Sequence, residues 1–319
     1  MIDITLENFQ TDLLAASTQT PVLLDIWAPW CGPCKSLGPV LERLEEEYAG
    51  RFTLAKLNSD EQPEIAGQLS AAFGVRSIPF CVMFVGGQPV DGFVGALPAE
   101  QIRQFLDKHV PSEGALVAEA EVQEAEALLD QGDTDAALTR LQDALDADPG
   151  NEVARFDLVK ALIEGGHLAA AQAAFEPVAA LATDKITPHA RFAALGQWLA
   201  AVQAAQGANP GALQAAIAAN KRDFDARFLL AQTHAARGDF PAAMDELLEI
   251  VMRDKAWNEQ AARKLYVALL EILTKPLPKP TPGKDAPGAS KLQLTGHAVT
   301  TPADPVVDAY RRKLSMALF

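Results

Sequence analysis

Two cysteines separated by two residues, Cys31-Gly32-Pro33-Cys34, are the residues of this 319-residue chain best suited to chemistry. A thiolate attacks a disulfide sulfur, and a second thiol close by can resolve the mixed disulfide that forms. The pair follows an apolar run of strand length and opens a helical pattern, which places Cys31 just ahead of a first helical turn. Unpaired backbone N–H groups and the helix dipole stabilise a thiolate there, and such settings lower a thiol pKa to roughly 3.5–7.5. Cys31 is therefore expected as the attacking thiol and Cys34 as the resolving one. Pro33 suits the first turn, where its missing N–H does no harm. Asp25 is a lone carboxylate in the run Pro21-Val22-Leu23-Leu24-Asp25-Ile26-Trp27. Burial should raise its pKa, making it the expected proton shuttle for Cys34 through water, with Lys56 in the following strand as its partner. Ile78-Pro79 is a candidate cis bond facing the pair, where backbone groups can align an extended substrate. Trp27 and Trp30 flank the pair as apolar bodies. The expected catalytic set is thus Cys31, Cys34, Asp25 and Lys56; Trp30, Gly32, Pro33, Ile78 and Pro79 are the expected substrate-binding set.

Half a zinc site is the competing reading of two closely spaced cysteines. Zinc needs two further ligands, and the only candidates are Cys81 and five scattered histidines, His109, His167, His189, His234 and His297, none in a paired spacing. No metal and no cofactor is expected. Cys81, inside Phe80-Cys81-Val82-Met83-Phe84, reads as a small buried hydrophobe, and the histidines are assigned no function. With 27 basic against 42 acidic residues the formal charge is −15, the wrong sign for a general nucleic-acid or anionic-membrane binder. Three cysteines cannot form a disulfide framework in a chain of this size, and two of them close together suit redox chemistry in a reducing compartment. No secretory leader and no apolar run of membrane-spanning length is evident. A cytoplasmic protein is expected.

The elements that must hold these residues alternate over positions 1–109. Strand patterns at 21–27, 51–57, 79–85 and 89–94 are interleaved with helical patterns at 33–48, 63–73 and 98–109. Leu37, Val40, Leu41 and Leu44 form the apolar stripe of the first helix. Gly86-Gly87 joins the last two strands as a hairpin. This order predicts an α/β fold, a mixed sheet with helices on its faces.

Residues 110–114, Val-Pro-Ser-Glu-Gly, read as a linker, and 115–275 turns rich in Ala, Leu and Gln with helical periodicity. Gly132 and Gly166 lie 34 residues apart, the period of tetratricopeptide helix pairs. Ala136 and Ala170 follow at +4, Leu141 and Phe175 at +9, and Leu128 and Leu162 precede at −4. A third copy centres on Gly238, with Ala242 and Leu247. It falls four residues beyond two further periods, so the unit between is irregular. Glycine suits the interhelical turn and the +4 alanine a close helix contact. An all-α helical-repeat domain is expected. Residues 276–303 are proline-rich and read as a flexible segment. Asp304-Pro305 then opens a last amphipathic helix over 304–319, with Val306, Tyr310, Leu314 and Leu318 along one stripe. Something must cover that stripe: the last repeat helix near Trp257–Leu273, or a partner.

The motifs Ile26 to Lys35 (Ile-Trp-Ala-Pro-Trp-Cys-Gly-Pro-Cys-Lys), Ser77-Ile78-Pro79 and Val94-Gly95-Ala96-Leu97 resemble thioredoxin over residues 1–109. The whole chain resembles the bacterial CnoX/YbbN family, a thioredoxin domain followed by tetratricopeptide-like repeats. Gln88-Pro89-Val90-Asp91-Gly92-Phe93 and Tyr310-Arg311-Arg312-Lys313-Leu314 add to that likeness. The resemblance implies a co-chaperone that holds unfolding or oxidised client proteins and passes them to the chaperonin GroEL/GroES or the DnaK system. It ties the chain to thiol protection under oxidative stress and implies a thioredoxin reductase as electron donor. It assigns Cys31 as attacking thiol, Cys34 as resolving thiol, Asp25 as buried proton acceptor and Pro79 as the cis-proline. Some relatives carry a further cysteine in the segment matching Asn58-Ser59-Asp60, and here that position is serine. Two other readings stay open: a disulfide reductase whose repeats only target it to a partner, and a redox-independent scaffold.

Overall fold

The computed structural model describes residues 1–184, 189–274 and 304–318, which fall into two compact units, 1–113 and 114–274 with 304–318. The proline-rich segment 276–303, His297 and Phe319 lie outside the described residues.

The first unit is built on a five-stranded sheet. Its strands are β1 (Ile2–Asp3), β2 (Val22–Trp27), β3 (Thr53–Asn58), β4 (Phe80–Val85) and β5 (Gln88–Val94), in the order β1-β3-β2-β4-β5. β1 and β2 run parallel to β3, while β4 runs antiparallel to both β2 and β5. The helices are α1 (Gly32–Glu47), α2 (Pro63–Phe73) and α3 (Ala99–Leu106), preceded by a helical turn at Phe9–Ala15.

Alternation along the strands divides the core into two layers. Val22, Leu24 and Ile26 join Ala55, Leu57, Phe80, Val82 and Phe84 against Phe9, Leu13, Ile65 and Leu69. On the other face, Leu23, Leu54, Cys81 and Met83 meet Leu37, Leu41 and Leu44 of α1 and Ile102, Phe105 and Leu106 of α3. Asp25 shares the parity of Leu23, so it lies on the side of the sheet that α1 covers. Val110 is buried in this second layer, Pro111 O accepts from the Arg51 guanidinium at 3.1 Å, and α4 begins at Glu113.

Among the described residues, the regular elements of the second unit are all helices. It contains α4 (Glu113–Asp130), α5 (Thr134–Ala147), α6 (Glu152–Glu164), α7 (Leu168–Phe175), a short α8 (Ala179–Ala182), α9 (Ala190–Ala204), α10 (Pro210–Ala219), α11 (Phe224–Ala236), α12 (Phe240–Arg253), α13 (Trp257–Leu273) and α14 (Pro305–Leu318).

Gly132, Gly166 and Gly238 sit in the turns α4/α5, α6/α7 and α11/α12 with φ of +82°, +76° and +74°, a conformation that disfavours residues bearing Cβ. Gly207, at φ +75°, occupies the same kind of turn between α9 and α10, and this is the off-period unit.

One expectation is corrected. The small residue that packs between helices is not the +4 alanine but its neighbour at +5: Ala137, Ala171 and Ala243 are all 0% exposed. The helix starts two residues after each glycine, so +4 falls in the first turn, and Ala170 there is exposed. Position +5 instead lines up one turn ahead of the buried residue at +9, Leu141, Phe175 or Leu247. In two of the turns the backbone N–H at +4 has another task. Ala136 N donates to Asp133 Oδ1 and Ala242 N to Asp239 Oδ1, which are N-cap bonds.

The stripe of α14 is covered within the chain. Val307, Tyr310 and Leu314 are buried in the large core that holds Trp198, Leu247, Leu265 and Tyr266. Tyr266 donates its hydroxyl to Tyr310 O at 2.7 Å, and the Tyr310 hydroxyl donates to Pro241 O at 3.2 Å. Lys313 Nζ reaches Asp245 at 2.9 Å. Val306, placed on the stripe by the sequence pattern, is instead 44% exposed.

Candidate thiol–disulfide site

β2 ends beneath the N-terminus of α1, and the intervening residues form a tight loop. Cys31 N donates to Ala28 O at 3.1 Å. Cys31 is the N-cap of α1, and its Sγ accepts the backbone N–H of Cys34 at 3.2 Å. The sulfur therefore takes the place of the side-chain oxygen that usually satisfies a first-turn donor. Gly32 and Pro33 follow as the first two helical residues, both exposed. Cys31 and Cys34 are joined by a disulfide with Cα atoms 5.3 Å apart. Both are 4% exposed, and they pack with Ala28, Trp27 and Ile78.

Trp30 stands beside the pair, 70% exposed, with its indole Nε1 donating to the Asp60 carboxylate at 3.0 Å. Ser59 fixes the loop by bonding Trp27 O through both its backbone N–H, at 2.9 Å, and its hydroxyl, at 3.1 Å. The Ile78–Pro79 bond is cis. Pro79 is buried, and its carbonyl accepts from Gly95 N at 2.8 Å.

On the sheet face that α1 covers, the register sets three chemically active side chains in one row. Asp25 on β2 is paired with Lys56 on β3 and with Cys81 on β4. Asp25 is 2% exposed, and its pKa is pushed up from 3.8 to about 6. Desolvation drives that rise; the Lys56 charge and the Cys81 hydrogen bond oppose it. Lys56 was expected from the sequence as the partner of Asp25. Its Nζ makes a 2.6 Å ion pair with Glu42 on α1, and it acts on Asp25 through its charge. Glu42 lies one turn after Gly38, which also faces the ammonium: a Cβ there would stand in ordinary contact, 3.9 Å from Lys56 Nζ.

Three participants were not singled out by sequence reasoning. Glu42 is one of several acids on α1, and only the fold aims it at Lys56. Asp60 follows Trp30 by thirty residues, and no local pattern links the two. Cys81 is fully buried, as a small hydrophobe would be, but its thiol lies 3.7 Å from Asp25 Oδ1. Among the described residues no cluster of His, Cys, Asp or Glu could hold a metal ion, and no helix is long and apolar enough to cross a membrane.

A Cys-Gly-Pro-Cys disulfide at the N-terminus of a helix on a mixed sheet, with a buried acid on the sheet face that this helix covers, defines a thioredoxin-fold thiol–disulfide oxidoreductase. The thioredoxin family model matches residues 1–108. The thioredoxin of Chlorobaculum thiosulfatiphilum is 49% identical over 104 residues, which are 33% of this chain and 91% of that protein. Thioredoxin 1 of Nostoc sp. is 42% identical over 107 residues, 34% of this chain and 94% of its own length. Thioredoxin 2 of Chlorobaculum tepidum is 47% identical over 104 residues, 33% and 90% respectively. The chain belongs to the thioredoxin family, and it extends that domain with tetratricopeptide repeats, whose models match residues 128–199 and 203–278.

Proposed function

We propose that this protein couples dithiol–disulfide exchange at Cys31 and Cys34 to the holding of unfolding or oxidation-prone client proteins by its helical repeats. The observation that carries the reading is the fusion itself: a thioredoxin domain with both site cysteines intact, continued by helix pairs of a class suited to gripping other proteins.

In the exchange, the Cys31 thiolate attacks one sulfur of a client disulfide and expels the other as a thiolate. Cys34 gives its proton to Asp25 through water, attacks Cys31 Sγ, and releases the second client thiolate, leaving the Cys31–Cys34 disulfide. Two electrons have then passed to the client, and a thioredoxin reductase returns them. Lys56 steadies the Asp25 carboxylate. Trp30, Gly32, Pro33, Ile78 and Pro79 form the surface on which the client backbone lies. On the repeats, a groove floored by Leu138, Leu158 and Leu162 and rimmed by Gln142 and Asp143 suits an extended stretch of client chain. The likeness to the bacterial co-chaperone family supports the chaperonin GroEL/GroES or the DnaK system as the destination of held clients, in the cytoplasm.

The test is suppression of aggregation of a thiol-free client by the full chain, compared with its Cys31→Ser/Cys34→Ser double variant. The double variant should protect as well as the parent while losing all disulfide reduction. A parent that gives no protection would reduce the repeats to a targeting device. Protection that disappears with the cysteines would contradict separable activities.

A further inference from the structure

The proton shuttle proposed above needs an acid whose proton affinity lies near neutrality, and a buried thiol lies against it. Cys81 sits on β4 directly opposite Asp25 in the register, 0% exposed, with Sγ 3.7 Å from Asp25 Oδ1. We propose that Cys81 is a positioning residue for thiol–disulfide exchange: its buried S–H is a hydrogen-bond donor to Asp25 that tunes how tightly this carboxyl holds its proton.

The chemistry of the neighbourhood supports a donor and no other role. Burial and the adjacent carboxylate both hold the Cys81 thiol in its protonated form, so it presents an S–H to Asp25. It belongs to the core cluster of Leu23, Leu37, Leu41, Met83 and Phe93, and it is a free, fully buried cysteine. The charged group acting on Asp25 is Lys56, whose ammonium is ion-paired with Glu42. A thiol is a weak donor. Asp25 is thus stabilised as a carboxylate less than a hydroxyl at the same place would stabilise it, and more than a methyl group would.

That ordering makes the inference testable with two side chains of the same shape. Cys81→Val removes the donor, and Cys81→Thr keeps a polar O–H beside Asp25 on the same frame; Cys81→Ala serves as a smaller variant should the branched pair strain the strand. The carboxyl carbon of Asp25 is titrated by ¹³C NMR in the full-length disulfide form, where Cys31 and Cys34 do not ionise. This inference rests on the reading of Asp25 as proton acceptor, but the titration reports on Asp25 without passing through catalysis. The midpoint should move up in the Val and Ala variants by about half a pH unit or more, and sit below theirs by at least that much in the Thr variant. Midpoints that coincide across wild type, Val, Ala and Thr would overturn the proposal. Unchanged Asp25 midpoints alongside a lowered melting temperature would likewise leave Cys81 as core packing only. Whether Asp25 acts on Cys34 is read separately, from the pH profile of exchange in Asp25→Asn.

Discussion

Replacing Cys31 with serine should bring insulin disulfide reduction down to the rate of the dithiol reductant alone. The serine hydroxyl is not ionised near neutrality, and thiol–disulfide exchange depends on the thiolate. No other sulfur can take over. Cys81 is 0% exposed and holds its proton against Asp25, and Cys34 lies inside the first turn of α1 rather than at its N-cap. The fold should survive, because serine is itself a preferred N-cap and can accept the Cys34 N–H that Cys31 Sγ now accepts. Relative to the reduced wild type, stability is therefore expected to change by no more than about 1 kcal/mol. The check is initial turbidity rates for insulin with both proteins at matched concentration. Equal rates would remove Cys31 from the mechanism.

Replacing Asp25 with asparagine should stabilise the first unit at neutral and alkaline pH. The carboxyl has a pKa of about 6 in the fold against 3.8 as a free side chain. Below pH 3.8 both folded and unfolded chains carry the proton. Between 3.8 and 6 the unfolded chain has lost it while the folded chain keeps it, so stability falls as pH rises through that window. Above it the loss is complete and constant. A shift of that size corresponds to roughly 3 kcal/mol as an upper figure. Asparagine carries no charge to desolvate. The variant should exceed wild type by about 1–3 kcal/mol at pH 8, with the gap closing toward pH 4. Guanidinium unfolding of the disulfide form, followed by the NMR signals of the β2 amides, measures both. A gap that does not change with pH would show that Asp25 is not held with a raised pKa.

Both predictions turn on groups whose types are legible in sequence; Cys34 and Lys56 are legible as partners too, whereas Cys81 and Glu42 are not. The position of Cys31 ahead of a helix follows from a strand-length apolar run ending at Trp27 and a helical stripe beginning near Pro33, both local signals. The alternating elements and the helix pairs are legible for the same reason: periodicity and turn glycines act over a few residues. Pairing across the sheet is a different matter. That Asp25 stands between Lys56 and Cys81 depends on β2 being flanked by β3 and β4 in one register, a contact over dozens of residues. The Glu42–Lys56 ion pair depends further on how α1 lies over β3. At the repeats, the period placed the turns correctly, while the buried alanine lay one residue further on. The glycine marks the turn, and only the point at which the helix starts decides which face is inward. β1 and the turn at Phe9–Ala15 went unread because two strand residues and seven helical ones offer too short a window for periodicity.

The central claim is that client disulfides are opened by Cys31 and closed out by Cys34. Cys34→Ser removes the resolving step and should arrest the reaction as a mixed disulfide. Full-length Cys34→Ser is mixed with an oxidised substrate protein, quenched in acid, and mapped by peptide mass spectrometry without reduction. The account predicts one dominant adduct, joining the substrate to the peptide that contains Cys31 and dissolving on addition of dithiothreitol. An adduct on Cys81, or no adduct under conditions where wild type reduces the same substrate, would contradict it.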